Sequence, residues 1–226
     1  SSLTQYSDYM KSAAKSSSKD GAAMVTRVGK KIAAATEQYL KNNGLESEIK
    51  NFSWEFNLVK DPQVNAFCMP GGKIVVYEGL MQLVSSDDEL AVVIGHEVAH
   101  AVAKHSNERM SQQLMAQYGA QILGQALSNK SAAVQQVGNT VYGLGAQYGV
   151  MLPFSRKHES EADYMGLVFM AMAGYNPEVA VTFWQKMSAG SSGSTPEFMS
   201  THPSDATRIN EIKQHLPEIE KYRTKK

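Results

Sequence analysis

The side chains best suited to chemistry in this chain stand together at Gly95-His96-Glu97-Val98-Ala99-His100. Two histidines four residues apart share one helical face, so both imidazoles can reach a single ion. Glu97 projects about a quarter-turn away, beside the ion's open position, where a carboxylate can take a proton from metal-bound water. With six histidines among 226 residues, this pattern is expected by chance in about one such chain in a hundred. The bland alternative is a pair of histidines capping a buried helix. It is weak, because an apolar helix carrying His, Glu and His needs a reason to bury them.

A catalytic zinc ion normally takes three protein ligands and a water. The metzincin pattern would put a glycine at 103 and the third histidine at 106, but those positions hold Ala103 and Ser106. His105 lies nine residues beyond His96, about half a turn out of phase, and points away from the ion. Glu159-Ser160-Glu161-Ala162-Asp163 offers the alternative. Glu159 and Asp163 share a helical face, so one can bind metal while the other receives the second N–H of a ligand histidine. Glu159 is taken as the third ligand and Asp163 as the residue behind it. Glu161 sits half a turn away and is read as solvated or paired with a base such as Arg156. His158 and His215 carry no supporting pattern, and Cys68 is read as strand packing.

These residues must be positioned by their elements. Met24, Val28, Ile32, Ala35 and Tyr39 recur at helical spacing, with Gly44 just past the end. Phe52, Trp54, Phe56 and Leu58 then alternate with polar residues, which predicts a half-buried strand closed by Asp61-Pro62. Val64–Met69 and Lys73–Tyr77 flank Pro70-Gly71-Gly72 as a hairpin. Ser86 to Glu89 forms a capping box ahead of an apolar run, predicting a helix that carries His96 and His100 to about His105. Asn176-Pro177 and His202-Pro203 each read as a helix start. Strands early and helices late give an α+β fold, in one domain over residues 1–226 with a flexible lead over 1–20.

Between Met110 and Ser155 the only charged residue is Lys130, while Gln113, Gln117, Gln121 and Gln125 recur every four residues. Two readings stand. One is a pair of helices packed closely through small residues; the other is a surface that touches a membrane or covers a cleft, a lid over 106–153.

Composition narrows the classes. Lys+Arg 22 against Asp+Glu 22 gives no basic excess, so no nucleic-acid partner is expected. One cysteine excludes an internal disulfide and any multi-thiolate metal site. No apolar run approaches the roughly 18 residues that a spanning helix needs. The chain starts at Ser1 rather than Met, which reads as a processed form whose targeting segment, and any N-terminal anchor, has been removed.

Four ordered stretches resemble the gluzincin zinc metallopeptidases of the HtpX, Oma and CAAX prenyl protease type, peptidase family M48, most of all their small bacterial, often lipoprotein-derived, members. They are Val64–Gly72 with Ile74–Met81; the His96-Glu97-x-x-His100 helix; Phe154-Ser155-Arg156 leading to Glu159 and Asp163; and His202-Pro203 with Arg208. The resemblance spans about residues 20 to 215. It implies a mostly helical, zincin-like domain with one zinc held by His96, His100 and Glu159, and Glu97 as general base. It implies that Asn65, Ala66 and Phe67 form an edge strand on which an extended protein or peptide substrate pairs, with loose sequence preference. It also implies a bacterial envelope location.

Metal-assisted amide hydrolysis needs a donor for the tetrahedral oxyanion, and His202 is the first candidate, with Arg208 the second. The rival for Arg208 is an ion pair with Asp205 or Asp163. The Ser188–Ser194 stretch has linker composition, so His202 has a second position open to it: onto the metal as a fourth ligand, closing a latent site. Two other functions compete with proteolysis. One is a zinc-stabilised, catalytically quiet, chaperone-like binding domain for unfolded chains; the other is hydrolysis of a small amide.

Overall fold

The computed structural model describes residues 2–103, 155–189, 196–203 and 206–223. The region from 104 to 154, which includes His105 and nearly all of the Gln-striped stretch, lies outside the described residues. So does most of the Ser188–Ser194 stretch.

Helix α1 spans Ser2–Ser12, α2 Lys19–Asn42, and a 3-10 turn Glu46–Asn51 leads into β1, Glu55–Val59. Strands β2, Ala66–Met69, and β3, Lys73–Tyr77, follow, then α3, Glu78–Met81, and α4, Asp87–Val102. After residue 154 come α5, Arg156–Met172, α6, Val179–Ala189, α7, Glu197–Thr201, and α8, Ala206–Ile219. This is the α+β arrangement expected from the sequence.

The sheet has three strands in the order β1-β3-β2. β1 runs parallel to β3, and β2 antiparallel to it, with Ala66 opposite Val76 and Cys68 opposite Ile74. Gly71 and Gly72 make the turn at φ of 87° and 82°, in the left-handed region that a β-carbon disfavours. β2 is thereby left as an edge strand.

One apolar cluster unites α2, the inner sheet face, α4, α5, α6 and α8. α4 is the best predicted element: Ser86 Oγ accepts from the Glu89 N–H at 3.2 Å, and Leu90 to His100 are all buried. Its end differs from expectation. The helix closes at Val102, short of His105, with the Ala103 N–H bonded to the Ala99 carbonyl.

The lead over 1–20, for which a flexible segment is expected, carries α1, and Tyr6 packs with Val59 and Val75 on the outer sheet face. One further expectation needs correcting. His202-Pro203 does not open the last helix. His202 is the C-terminal cap of the short α7, its N–H bonded to the Phe198 carbonyl, and α8 begins at Ala206. Proline is as common just after a helix as at its start, so the dipeptide alone could not decide. Among the described residues no helix is long and apolar enough to cross a membrane.

α4 meets α5 through glycine. A β-carbon at Gly166 would lie 2.9 Å from the His96 nitrogen, and one at Gly95 would lie 2.9 Å from the Gly166 carbonyl oxygen. These are backbone contacts and cannot rotate away. Gly166→Ala would otherwise gain helix propensity, about 1 kcal/mol. The clash reverses the sign, and a loss of about 1–3 kcal/mol is expected in urea denaturation. A variant as stable as the parent would show that the two helices slide apart freely.

Candidate metal and catalytic site

The site is assembled by α4, α5 and the His202 cap. His96 Nε2 and His100 Nε2 face one another at 3.1 Å. Glu159, on the first turn of α5, places Oε2 3.2 Å from His96 Nε2 and Oε1 2.8 Å from His100 Nε2. His202 Nε2 lies 4.0 Å from Glu159 Oε1, and the ligand atoms of His96, His100, Glu159 and His202 all lie within 4.8 Å of one another. All four residues are buried. Two i,i+4 and first-turn placements, read from sequence, are thus brought to one point by the Gly95–Gly166 contact.

Behind that point stands a second layer. Asp163 Oδ1 is 3.0 Å from His96 Nδ1, which turns the opposite nitrogen, Nε2, toward the cluster. Asp163 is in turn held by both forks of Arg208, with Nη2 donating to Oδ1 at 2.8 Å and Nε to Oδ2. Arg208 Nη1 also reaches Glu159 Oε2 at 3.0 Å, and its guanidinium lies over the Trp184 ring at 5.0 Å. The structure therefore sets Arg208 into the ion pair with Asp163 that the sequence offered as its rival role.

Glu97 is buried at 3% exposure beside this group. Its Oε1 lies 2.9 Å from His202 Nε2, and its Oε2 accepts the Cys68 N–H at 3.1 Å. The His202 ring stacks on Phe198 with centroids 4.1 Å apart, and its Nδ1 lies 3.1 Å from the Phe198 carbonyl oxygen. The Phe198 N–H donates to the Val64 carbonyl, tying α7 to the chain entering β2. Asn65, Ala66 and Phe67 stand at that edge, with the Asn65 carbonyl accepting from the Tyr77 N–H. Glu161 is exposed, half a turn from the cluster.

The electrostatics fit a cation. Burial drives His100 down to about 3, so its imidazole is neutral and can act as a ligand. Burial works the same way on His96, but Glu159 and then Asp163 outweigh it and push it up to about 9. Burial opposes the charges of Glu159 and Asp163 as well, yet His96 holds the first, and Arg208 the second, well below the ordinary carboxylate range. Glu97 is lowered against its own burial chiefly by His202. Two imidazole nitrogens and two carboxylate oxygens converge at about 3 Å in a buried space, and once His96 gives up its proton all four are acceptors. Such a set is satisfied by a divalent cation, and nitrogen with carboxylate oxygen is a zinc donor set. The residues present fit zinc.

One contact was not legible from residue types: the Cys68 N–H on Glu97 is a backbone donor 29 positions away. Phe198 and Trp184 carried only the signal of apolar core positions.

Fold and site together define a zincin-type metallopeptidase domain. Residues 26–216 match the model of Peptidase family M48, and the chain belongs to that family. It is similar to the mitochondrial metalloendopeptidase OMA1 of Schizosaccharomyces pombe, 38% identical over 176 residues that cover 77% of this chain and 50% of the relative. The Arabidopsis thaliana protein of the same name is 41% identical over 174 residues, covering 77% and 34%. The β-barrel assembly-enhancing protease of Yersinia pestis is 31% identical over 176 residues, covering 72% and 36%. The chain spans between a third and a half of the length of these relatives.

Proposed function

We propose that this domain is a zinc-dependent metalloendopeptidase that hydrolyses peptide bonds in extended segments of protein substrates. The observation that carries the reading is Glu97: a buried carboxylate beside the His96–His100–Glu159 group, which a purely structural metal site would not require. One zinc would be held by His96, His100 and Glu159, and when bound it supplies Lewis acidity and a water of pKa about 7.

The chain's own residues do the rest. Asp163, braced by Arg208, orients His96 so that Nε2 faces the cluster. Glu97 accepts the proton of the attacking water and returns it to the leaving amine. His202 Nε2 donates to the developing oxyanion, a contribution of about 10² to 10³ in rate. Arg208 acts through Asp163 and Glu159 rather than on the substrate. The β2 edge at Asn65, Ala66 and Phe67 pairs with the substrate backbone, which gives affinity with little side-chain selectivity. His202 also closes the site when substrate is absent, since its Nε2 already stands within the four-donor group.

The second reading, a quiet zinc-stabilised binding domain for unfolded chains, is favoured by that same fourth donor, because structural zinc usually has four protein ligands. Metal removal separates the two. Casein digestion should stop after treatment with a chelator and return on addition of one equivalent of zinc. Zinc-loaded protein that holds casein intact would favour the quiet domain, and turnover of small amides alone would exclude an endopeptidase. The biological role we assign is protein quality control in a bacterial cell envelope, as a lipoprotein-derived periplasmic domain. The name of the Yersinia relative, a protease that enhances β-barrel assembly, supports the quality-control part of that role, and the location rests on the sequence resemblance.

A further inference from the structure

The sheet has two edges, and the site uses one of them. β2 turns outward to Glu97 and Phe198 through the Cys68 N–H and the Val64 carbonyl. At the opposite edge, the Glu55 N–H bonds to the Gly72 carbonyl, so Glu55, Asn57 and Val59 face β3, and Phe56 and Leu58 turn their backbone groups outward. Part of this outer edge is already paired. The Ser16 N–H donates to the Leu58 carbonyl at 3.0 Å, the Lys60 N–H donates to the Ala14 carbonyl at 2.8 Å, and Lys15 stands opposite Val59 in antiparallel sense. The pairing stops there because Ser18 caps α2 and the chain turns away. Among the described residues no backbone bond reaches the outer edge of Phe56.

Beyond Phe56 the edge floors an open groove of about 1010 Å³, walled by α1 on one side and α2 on the other. Lys11, Lys15 and Lys30 line it and are exposed, and no carboxylate among the described residues pairs with them. Of the two acids in the wall, Glu55 pairs with Lys73 at 3.6 Å, while Glu37 accepts the neutral Trp54 indole N–H at 3.1 Å and keeps its charge, so the lining retains a net positive excess. The groove thus offers unpaired backbone along its floor and unneutralised positive charge along its walls.

We propose that this groove is a second peptide-binding site, which takes an extended acidic segment as an added strand on β1, antiparallel to it and in line with residues 14–16. Strand addition supplies the affinity and the three lysines select for Asp and Glu. A strand added on β1 lies three strand spacings, roughly 14 Å, from β2, so it is a different stretch of chain from the one at Glu97. An anionic membrane would also meet lysines, but these three surround a concavity between two helices, and a membrane has no use for the strand edge.

The test reads binding alone, so it stands apart from the peptidase reading. A fluorescein-labelled octapeptide alternating glutamate with valine or threonine should bind saturably by anisotropy, and equally well to the Glu97→Gln protein. The same peptide N-methylated at alternate amides keeps its charge but cannot pair, and it should bind at least tenfold more weakly. Lys11→Glu with Lys15→Glu and Lys30→Glu should weaken the parent peptide at least tenfold. No saturable binding up to 1 mM overturns the proposal. So does equal affinity for the N-methylated peptide, which needs no protein variant and would reduce the groove to a patch of charge. Lysine-dependent capture by phosphatidylglycerol vesicles that the peptide does not compete would also overturn it and assign the face to a membrane.

Discussion

Glu97→Gln should lower casein hydrolysis by about 10² to 10⁴-fold while the protein keeps its fold and one zinc per chain. The substitution suits the site because the glutamine amide can keep both contacts of the carboxylate. Its oxygen can accept the Cys68 N–H now bonded to Oε2 at 3.1 Å, and its NH₂ can donate to His202 Nε2, now 2.9 Å from Oε1. No buried partner is left unsatisfied, so little stability is lost. The ability to accept a proton goes, since an amide oxygen is a far weaker base than a carboxylate, and the bond to His202 is reversed, with Nε2 accepting in place of donating. The measurement is turnover normalised to metal content. A zinc-loaded variant with activity within tenfold of the parent would move the base to another residue, and among the described residues His202, 2.9 Å from Glu97, is the neighbour placed to take the part.

The same contacts explain which parts of this site were legible in the sequence. His96 and His100 announce themselves because helical spacing alone aligns them, and the Ser86 cap with the run from Leu90 to Ile94 makes that helix certain to form. Glu159 and Asp163 obey the same periodicity on a second helix. What the spacing could not supply was the distance between the helices, which Gly95 and Gly166 set by letting backbone touch backbone. The hairpin was legible from Pro70-Gly71-Gly72, but the parallel pairing of β1 with β3 was not, because strand order depends on the crossover and not on local pattern. α1 carries Leu3, Tyr6, Tyr9 and Met10 at helical spacing, but the Ser/Lys-rich run over 11–19 that follows dominates the reading of the lead, and Tyr6, Tyr9 and Met10 acquire their role only when the sheet face is there to receive them. His202 was recognised as a residue of interest and misplaced within its element. A bond from the Phe198 N–H to the Val64 carbonyl, 134 positions away by residue number, fixes α7 and leaves His202 at its end.

Glu159→Ala should lose the metal. Among the described residues Glu159 is the one carboxylate that touches both histidines, at 3.2 and 2.8 Å, and it also answers Arg208 Nη1 at 3.0 Å. Its removal leaves a buried guanidinium beside two imidazoles, with Asp163 as the remaining carboxylate on Arg208 and on His96. A cation entering that space would meet only nitrogen donors, from His96, His100 and His202, and an adjacent positive charge, where the parent site offers it a counter-charge. Zinc affinity should therefore fall by more than the roughly 10- to 100-fold that loss of an outer partner typically costs. Elemental analysis after dialysis at neutral pH should find well under one zinc per chain, and casein digestion should fall with it. Glu161→Ala is the matched control: the residue is exposed, on the same helix and half a turn away, and its removal should leave occupancy unchanged. Zinc binding has its own pH dependence, because imidazole must be neutral to coordinate. In the parent protein, occupancy at a fixed low zinc concentration should fall as pH drops below about 9, where His96 takes up its proton, and should recover as pH rises. Full occupancy in Glu159→Ala would leave His202 as the third ligand, with Glu159 reduced to the counter-ion of Arg208.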